Sequence, residues 1–255
     1  MASGTGQFKD KVVWITGAGT GIGRETALMF AREGAQLALF GRRPETLHDV
    51  RDAAQAEGAR VEVRPVDVAE RAAVLPASED LLQVYGRVDI LVNNAGANTQ
   101  KRRLRELSPD DWDHIIHVNL TGAYNMIASV LPPMRTQGGG LIVNISSMAA
   151  KSGSGLSGAA YTASKHGMNG LSHAINTEEW NHGIRATAIC PGEVDTPFLS
   201  LRPIPVTEQD RVQLIAPVDI AEAVRFVAAL PPRTTVSEML VVPTHKRQHK
   251  PGETG

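Results

Sequence analysis

Seven short apolar runs, each nearly continuous, punctuate the chain: Val12–Thr16, Gln36–Phe40, Val61–Val66, Ile90–Val92, Leu141–Ile145, Ala186–Ile189 and Met239–Val242. A strand with one wet face alternates apolar and polar residues, whereas a strand apolar at successive positions has both faces covered. Longer amphipathic stretches separate these runs. The arrangement they predict is doubly wound α/β, a seven-stranded parallel sheet with helices on both faces. At 255 residues, with no internal repeat and no dividing linker, the chain reads as one domain over residues 1–255. The polar stretch 246–255, with Pro251 and Gly252, reads as a frayed tail.

The connecting helices carry their own signals. Ser108-Pro109-Asp110-Asp111 combines a cap, a first-turn proline and acids that suit the helix dipole. The helix it starts is expected to run to about Leu131, with Pro132-Pro133 ending it. Pro76, inside Ala72–Leu82, is expected to break or restart the helix before the fourth strand.

Bulk properties narrow the function classes. A formal net charge of −1 provides no field for nucleic acid or an anionic membrane surface, so neither is expected as a partner. A single cysteine, Cys190, rules out an internal disulfide framework and a thiolate cage, and reads as a small buried residue in a strand. None of the eight histidines has a metal-ligand spacing; His114 and His117 read as surface residues, and no metal is expected. The N-terminus lacks the apolar core of a signal peptide and no run is long enough to span a bilayer, so a cytoplasmic protein is expected.

Directly after the first strand comes Thr16-Gly17-Ala18-Gly19-Thr20-Gly21-Ile22-Gly23, followed by a helix over about Arg24–Glu33. Strand, glycine turn and helix in succession let the backbone approach a pyrophosphate while free N–H groups and the helix dipole stabilise its charge. Gly17, Thr20, Gly21, Ile22 and Gly23 are therefore expected to hold a dinucleotide. The pattern Thr-Gly-x-x-x-Gly-Ile-Gly resembles the signature of the short-chain dehydrogenase/reductase family, single-domain Rossmann oxidoreductases, and the resemblance continues nearly to the end of the chain. The second strand ends in Phe40-Gly41-Arg42-Arg43, where an acid would bind the ribose hydroxyls of NAD. Arg42 and Arg43 suit instead the 2′-phosphate of NADP, so NADP(H) is the expected cofactor and NAD(H) the alternative. A merely solvated pair of arginines is the other reading of these residues. By resemblance, Asp67 and Val68 look onto the adenine, although Asp67 alone also reads as a helix cap. Asn94, Ala95 and Gly96 of Asn93-Asn94-Ala95-Gly96 resemble the family element that steadies the sheet and lines the cofactor.

Tyr161 and Lys165 stand four residues apart on one helical face. A free phenol titrates near ~10, and a neighbouring ammonium is expected to lower it into the range of a usable acid/base. The fifth strand ends in Ser146-Ser147, at the sheet edge where open sheets bind ligands. Residue chemistry does not choose between the two serines; the resemblance implies that Ser147 touches the substrate oxygen. Asn119 lies mid-helix, a poor place for asparagine on propensity; by resemblance it holds a water that connects Lys165 to solvent. The resemblance thus implies a catalytic set of Asn119, Ser147, Tyr161 and Lys165, with Ser147 and Tyr161 holding a small-molecule carbonyl or alcohol. Hydride transfer to the carbonyl carbon is then matched by a proton from Tyr161. A catalytically weak NAD(P)-binding sensor is the alternative on the same fold.

Pro191, Gly192, Val194 and Thr196, after the sixth strand, resemble the element beside the nicotinamide. The loop Met148–Gly158 reads as flexible, and Phe198–Gln213, with Pro203 and Pro205, as a lid over the substrate. The basic run Lys101-Arg102-Arg103-Leu104-Arg105 reads as solvated surface, with attraction of an acidic substrate as the other reading. The ending Thr235–Pro243 resembles the family branch that includes hydroxy-acid and serine dehydrogenases, which implies a small polar substrate. Gly122, Ala123, Gly167 and Gly170 permit close helix contacts, either within the chain or in the homodimer or homotetramer that the resemblance implies.

Overall fold

Strand β1 (Val12–Thr16) is buried at every position, as a strand covered on both faces must be. In the computed structural model, which describes residues 6–152 and 156–245, six further strands join it. They are β2 (Gln36–Gly41), β3 (Val61–Pro65), β4 (Ile90–Asn93), β5 (Gly140–Ile145), β6 (Ile184–Pro191) and β7 (Glu238–Val241). Their order is β3-β2-β1-β4-β5-β6-β7 and every pairing is parallel. The expected doubly wound sheet is therefore present with all seven strands.

The helices are α1 (Gly21–Arg32), α2 (Pro44–Ala56), α3 (Arg71–Tyr85), α4 (Pro109–Ile116), α5 (Gly122–Gln137), α6 (Ala159–Glu178), the short α7 (Glu208–Arg211) and α8 (Pro217–Ala229). Alternate residues of each strand feed two cores. Val13, Ile15, Leu37 and Leu39 pack with Phe30 of α1, Leu47 of α2 and Val224 of α8. Val12, Trp14, Ala38 and Phe40 pack with Leu81 of α3, Met126 and Met134 of α5 and Ile175 of α6. Each fully buried valine, leucine, isoleucine, phenylalanine or methionine among them contributes on the order of 1.5–3 kcal/mol. The chain winds outward from β1 in one direction and from β4 in the other, so a crevice opens at the carboxyl ends of these two strands.

Three expectations about the elements are corrected. Pro76 does not break its helix: α3 runs unbroken through it. Pro76 is exposed while Val74, Ala77, Ser78 and Leu81 are buried, so the missing hydrogen bond lies on the wet face, where water can satisfy the freed carbonyl. Pro132 and Pro133 do not end α5, which continues to Gln137 because Val130 and Met134 are both core residues. The helix capped by Ser108, whose hydroxyl accepts from the Asp111 amide, is not uniform either. A π-helical turn, His117–Thr121, separates α4 from α5. The tail 246–255 and the centre of the loop 148–158 lie outside the described residues.

Candidate active site

The crevice is a cleft of about 400 Å3. At one end the glycine turn passes from β1 into α1. Gly17 and Gly21 have φ of +61° and +54°, which side-chain-bearing residues rarely adopt. A Cβ on Gly21 would stand 3.0 Å from the Thr196 methyl, and one on Gly23 would overlap the Gly17 carbonyl and lie 2.6 Å from the Asn94 amide. No side chain caps α1, so its first N–H groups are left for a ligand. Gly17, Thr20, Gly21 and Ile22 line the cleft, and Gly23 packs behind them.

Asn94 fixes this turn to β4. Its side-chain amide donates to the Thr16 and Gly17 carbonyls, 3.1 Å each, while the Asn94 and Ala95 amides donate to the Thr16 hydroxyl at 2.9 and 3.0 Å. Ala95 and Gly96 continue the cleft wall. Arg42, Arg43, Asp67 and Val68 line the outer end, where Arg42 reaches the Asp67 carboxylate at 3.9 Å. Asp67 also accepts from the Ala69 amide at 3.0 Å, and Asn125 of α5 donates to the Val68 carbonyl at 2.9 Å. Asn125 escaped the sequence reading because its partner is 57 residues away. Pro191, Gly192, Val194 and Thr196 close the opposite wall. This empty-sided glycine turn, uncapped helix and basic rim fit a dinucleotide phosphate chain.

At the inner end, Ser147, Tyr161 and Lys165 meet. Ser147, which also accepts from the Ala149 amide at 3.1 Å, hydrogen-bonds the Tyr161 hydroxyl. Lys165 Nζ donates to the Ile145 carbonyl at 2.8 Å and lies 5.6 Å from the centre of the Tyr161 ring. Ser146, by contrast, turns inward and donates to the Lys165 carbonyl at 3.2 Å. Asn119 is fully buried in the π-turn behind the wall. Its amide accepts from Ala97 N at 2.6 Å and donates to Ala97 O and the Ser164 hydroxyl, both at 3.0 Å.

The electrostatics differ from expectation. Burial pushes the Tyr161 phenol above its ordinary value, and the Ser147 hydrogen bond followed by Arg202 and Arg102 draw it partly back. The cations acting on the phenol are thus two arginines rather than Lys165, whose own ammonium burial brings down to about 8. The basic run is corrected at one position, since Lys101 and Arg105 are exposed as expected. Arg102 is only 2% exposed and lines the cleft. Nothing in a row of cations singles out one position, but Gly158 carries a signal: its φ is +82°, and a Cβ there would stand 2.5 Å from Arg102 Cβ. The predicted lid forms a wall, with the turn Pro197–Leu201 bringing Phe198 to 6.0 Å from the Tyr161 ring.

Over residues 11–203 the chain matches the family described as short chain dehydrogenase. It is 38% identical over 193 residues to a 3beta-hydroxysteroid dehydrogenase of Mediterraneibacter gnavus, spanning 76% of this chain and 69% of that one. It is 34% identical over 229 residues to the 3-oxoacyl-(acyl-carrier-protein) reductase FabG of Thermotoga maritima, spanning 88% and 92%. A solved metagenomic short-chain oxidoreductase in complex with NADP superposes with a TM-score of 0.81 at 34% identity, covering 94% of this chain and all of that one.

Proposed function

The chain belongs to the short-chain dehydrogenase/reductase family of nicotinamide-dependent oxidoreductases, and from that premise we propose that it interconverts a carbonyl and a secondary alcohol with NADP(H), Tyr161 acting as acid/base. The observation that carries the reading is the Ser147–Tyr161 hydrogen bond beside Lys165, at the inner end of the cleft that begins with the glycine turn. A bound nicotinamide dinucleotide supplies or accepts the hydride.

In the reductive direction Ser147 and Tyr161 hold the carbonyl oxygen, and Tyr161 releases its proton to the oxygen as negative charge develops there. The raised pKa of the phenol keeps that proton on Tyr161 until it is needed. Lys165, whose ammonium donates to the Ile145 carbonyl at 2.8 Å and meets Met168 Sδ at 3.2 Å, has one further N–H for the nicotinamide ribose. Asn119 is a positioning residue: it clasps the Ala97 segment to α6 through Ser164, the neighbour of Lys165. For the cofactor, Gly17, Thr20, Gly21, Ile22 and Gly23 take the pyrophosphate, and Arg42 and Arg43 take the 2′-phosphate. Asp67 and Val68 face the adenine, Asn94, Ala95 and Gly96 support the riboses, and Pro191, Gly192, Val194 and Thr196 meet the carboxamide. The protein acts as a homodimer or homotetramer.

NADPH oxidation over a panel of ketones tests the assignment. Tyr161→Phe is expected to lose about 10²–10⁴-fold in kcat, with NADPH fluorescence titration still reporting a bound cofactor. A Tyr161→Phe protein with undiminished turnover would overturn the reading.

A further inference from the structure

Among the described residues, Arg102 is a buried cation without an anion. Its Nε donates to the Thr99 carbonyl at 2.6 Å, one Nη to the Leu156 carbonyl at 2.9 Å and the other to the Leu201 carbonyl. Those dipoles come from three separate segments, and among the described residues no carboxylate pairs with it. Of the five N–H groups of a guanidinium, three are used and each Nη retains one. Beside it Arg202, about four-fifths buried, is paired with Glu193 at 3.1 Å. Three charges thus gather at this wall, two positive and one negative, and the surplus is a cation. The one carboxylate among the described lining residues of the cleft, Asp67, stands at the opposite end beside Arg42.

A buried charge without a partner is costly and is retained where something completes it. Both arginines line the cleft together with Ser147 and Tyr161, and the turn whose Leu201 carbonyl accepts from Arg102 brings Phe198 to 6.0 Å from the ring of Tyr161, whose hydroxyl meets the substrate oxygen in the proposed reaction. Whatever completes the wall therefore lies on the Tyr161 side of the cleft, near the reacting carbon. That proximity, and the planar fork of a guanidinium, select a carboxylate over the remote phosphates of an acyl carrier. We infer that Arg102, with Arg202, forms a carboxylate-recognition site in the substrate pocket, so that the substrate is a short oxo acid and its product the hydroxy acid. The inference rests on the carbonyl–alcohol reading for its chemistry, while the site itself is a binding feature that can be tested without turnover.

Two measurements separate these. The NADP-loaded protein is titrated calorimetrically with pentanoate and with pentanamide, neither of which reacts. In parallel, kcat/KM is measured with NADPH for 2-, 3- and 4-oxo acids of four to six carbons and for their methyl esters. Expected are a Kd for pentanoate at least tenfold below that for pentanamide and an acid-to-ester kcat/KM ratio of at least ten. Both preferences fall at least tenfold in Arg102→Met and in Arg202→Met, and Glu193→Gln, which releases Arg202, raises them. Arg202→Met carries the test if Arg102→Met does not fold, since Arg102 also joins three segments. Absence of any carboxylate preference in the unmodified protein, or an unaltered preference in Arg202→Met, overturns the inference. Neutral ketones reduced without such a preference leave the oxidoreductase reading standing and remove the inference. Carboxylate-selective binding with no turnover of any ketone does the reverse.

Discussion

Arg42 stands at the rim of the cleft with its side chain 63% exposed and its only ion-pair partner, among the described residues, 3.9 Å away at Asp67. A pair that exposed is worth about 0–1 kcal/mol, whereas charge-assisted hydrogen bonds to a phosphate contribute about 1.5–3 kcal/mol. The guanidinium therefore gains by exchanging Asp67 for the 2′-phosphate of NADP. Arg42→Asp is expected to lower the ratio of kcat/KM for NADPH over NADH by about 10- to 100-fold; steady-state kinetics with both cofactors give that ratio directly, and an unchanged ratio refutes the assignment. Tyr161, Lys165 and the glycine turn were readable from short spacings and from position at a strand end, whereas strand-end position left Ser146 and Ser147 undivided and only the resemblance pointed to Ser147. Arg102 was not, since its burial is decided by carbonyls at Thr99, Leu156 and Leu201, which no local pattern connects. The same holds for the charges on Tyr161: the helical spacing to Lys165 was visible, the two arginines that share its cleft were not.

At the scale of elements, seven strands were readable because each has to be apolar on both faces, and the missed details are the ones that local rules assign to backbone alone. Proline is expected to stop a helix, yet α3 and α5 pass through Pro76, Pro132 and Pro133, because core residues on either side hold the helix together. The π-turn at Asn119 left no trace in hydrophobic periodicity. What ties the elements at their amino ends is Asp89, only 8% exposed. It accepts from the Val12 amide at 3.0 Å, Lys11 at 3.1 Å and Arg87 at 2.6 and 2.9 Å, and its backbone links β1 to β5 through Val12 O and Leu141 N. Burial alone would raise its pKa, but the Arg87, Val12 and Lys11 hydrogen bonds outweigh that and hold the carboxyl below its ordinary value. A depressed carboxylate stabilises the fold above the unfolded-state value near ~4, and the contribution is lost as pH falls through the lower folded value. Asp89→Asn is accordingly expected to cost about 1.5–3 kcal/mol at neutral pH. Urea denaturation at pH 7 and again below pH 4 should show the gap between the two proteins closing; a gap independent of pH would contradict it.

At the scale of the whole molecule, the small residues of α5 and α6 divide into two groups. A Cβ on Gly122 would lie 2.6 Å from Val68 Cγ2, and one on Gly167 would lie 2.8 Å from Leu120, so both serve packing within the chain. A Cβ on Gly170 would meet no described atom within 4 Å beyond its own helix, and the residue opens onto a shallow groove bordered by Arg71, Leu120, Tyr124 and Leu171. Tyr124 is 46% exposed there, with the Arg71 guanidinium 5.5 Å over its ring. A glycine in a helix costs about 1 kcal/mol relative to alanine, a cost that internal packing does not offset at Gly170. Close approach of the same face of a second copy across a two-fold axis would offset it, since an isologous interface places each groove against its own image. Such a contact buttresses α6, which carries Tyr161 and Lys165 on its other side. Sedimentation velocity at micromolar concentration is expected to show a dimer or tetramer. Gly170→Arg, which helix propensity tolerates, should shift the population to a smaller species with the melting temperature of the fold retained. A monomeric parent protein, or an unchanged sedimentation coefficient in the variant, removes this face as the interface.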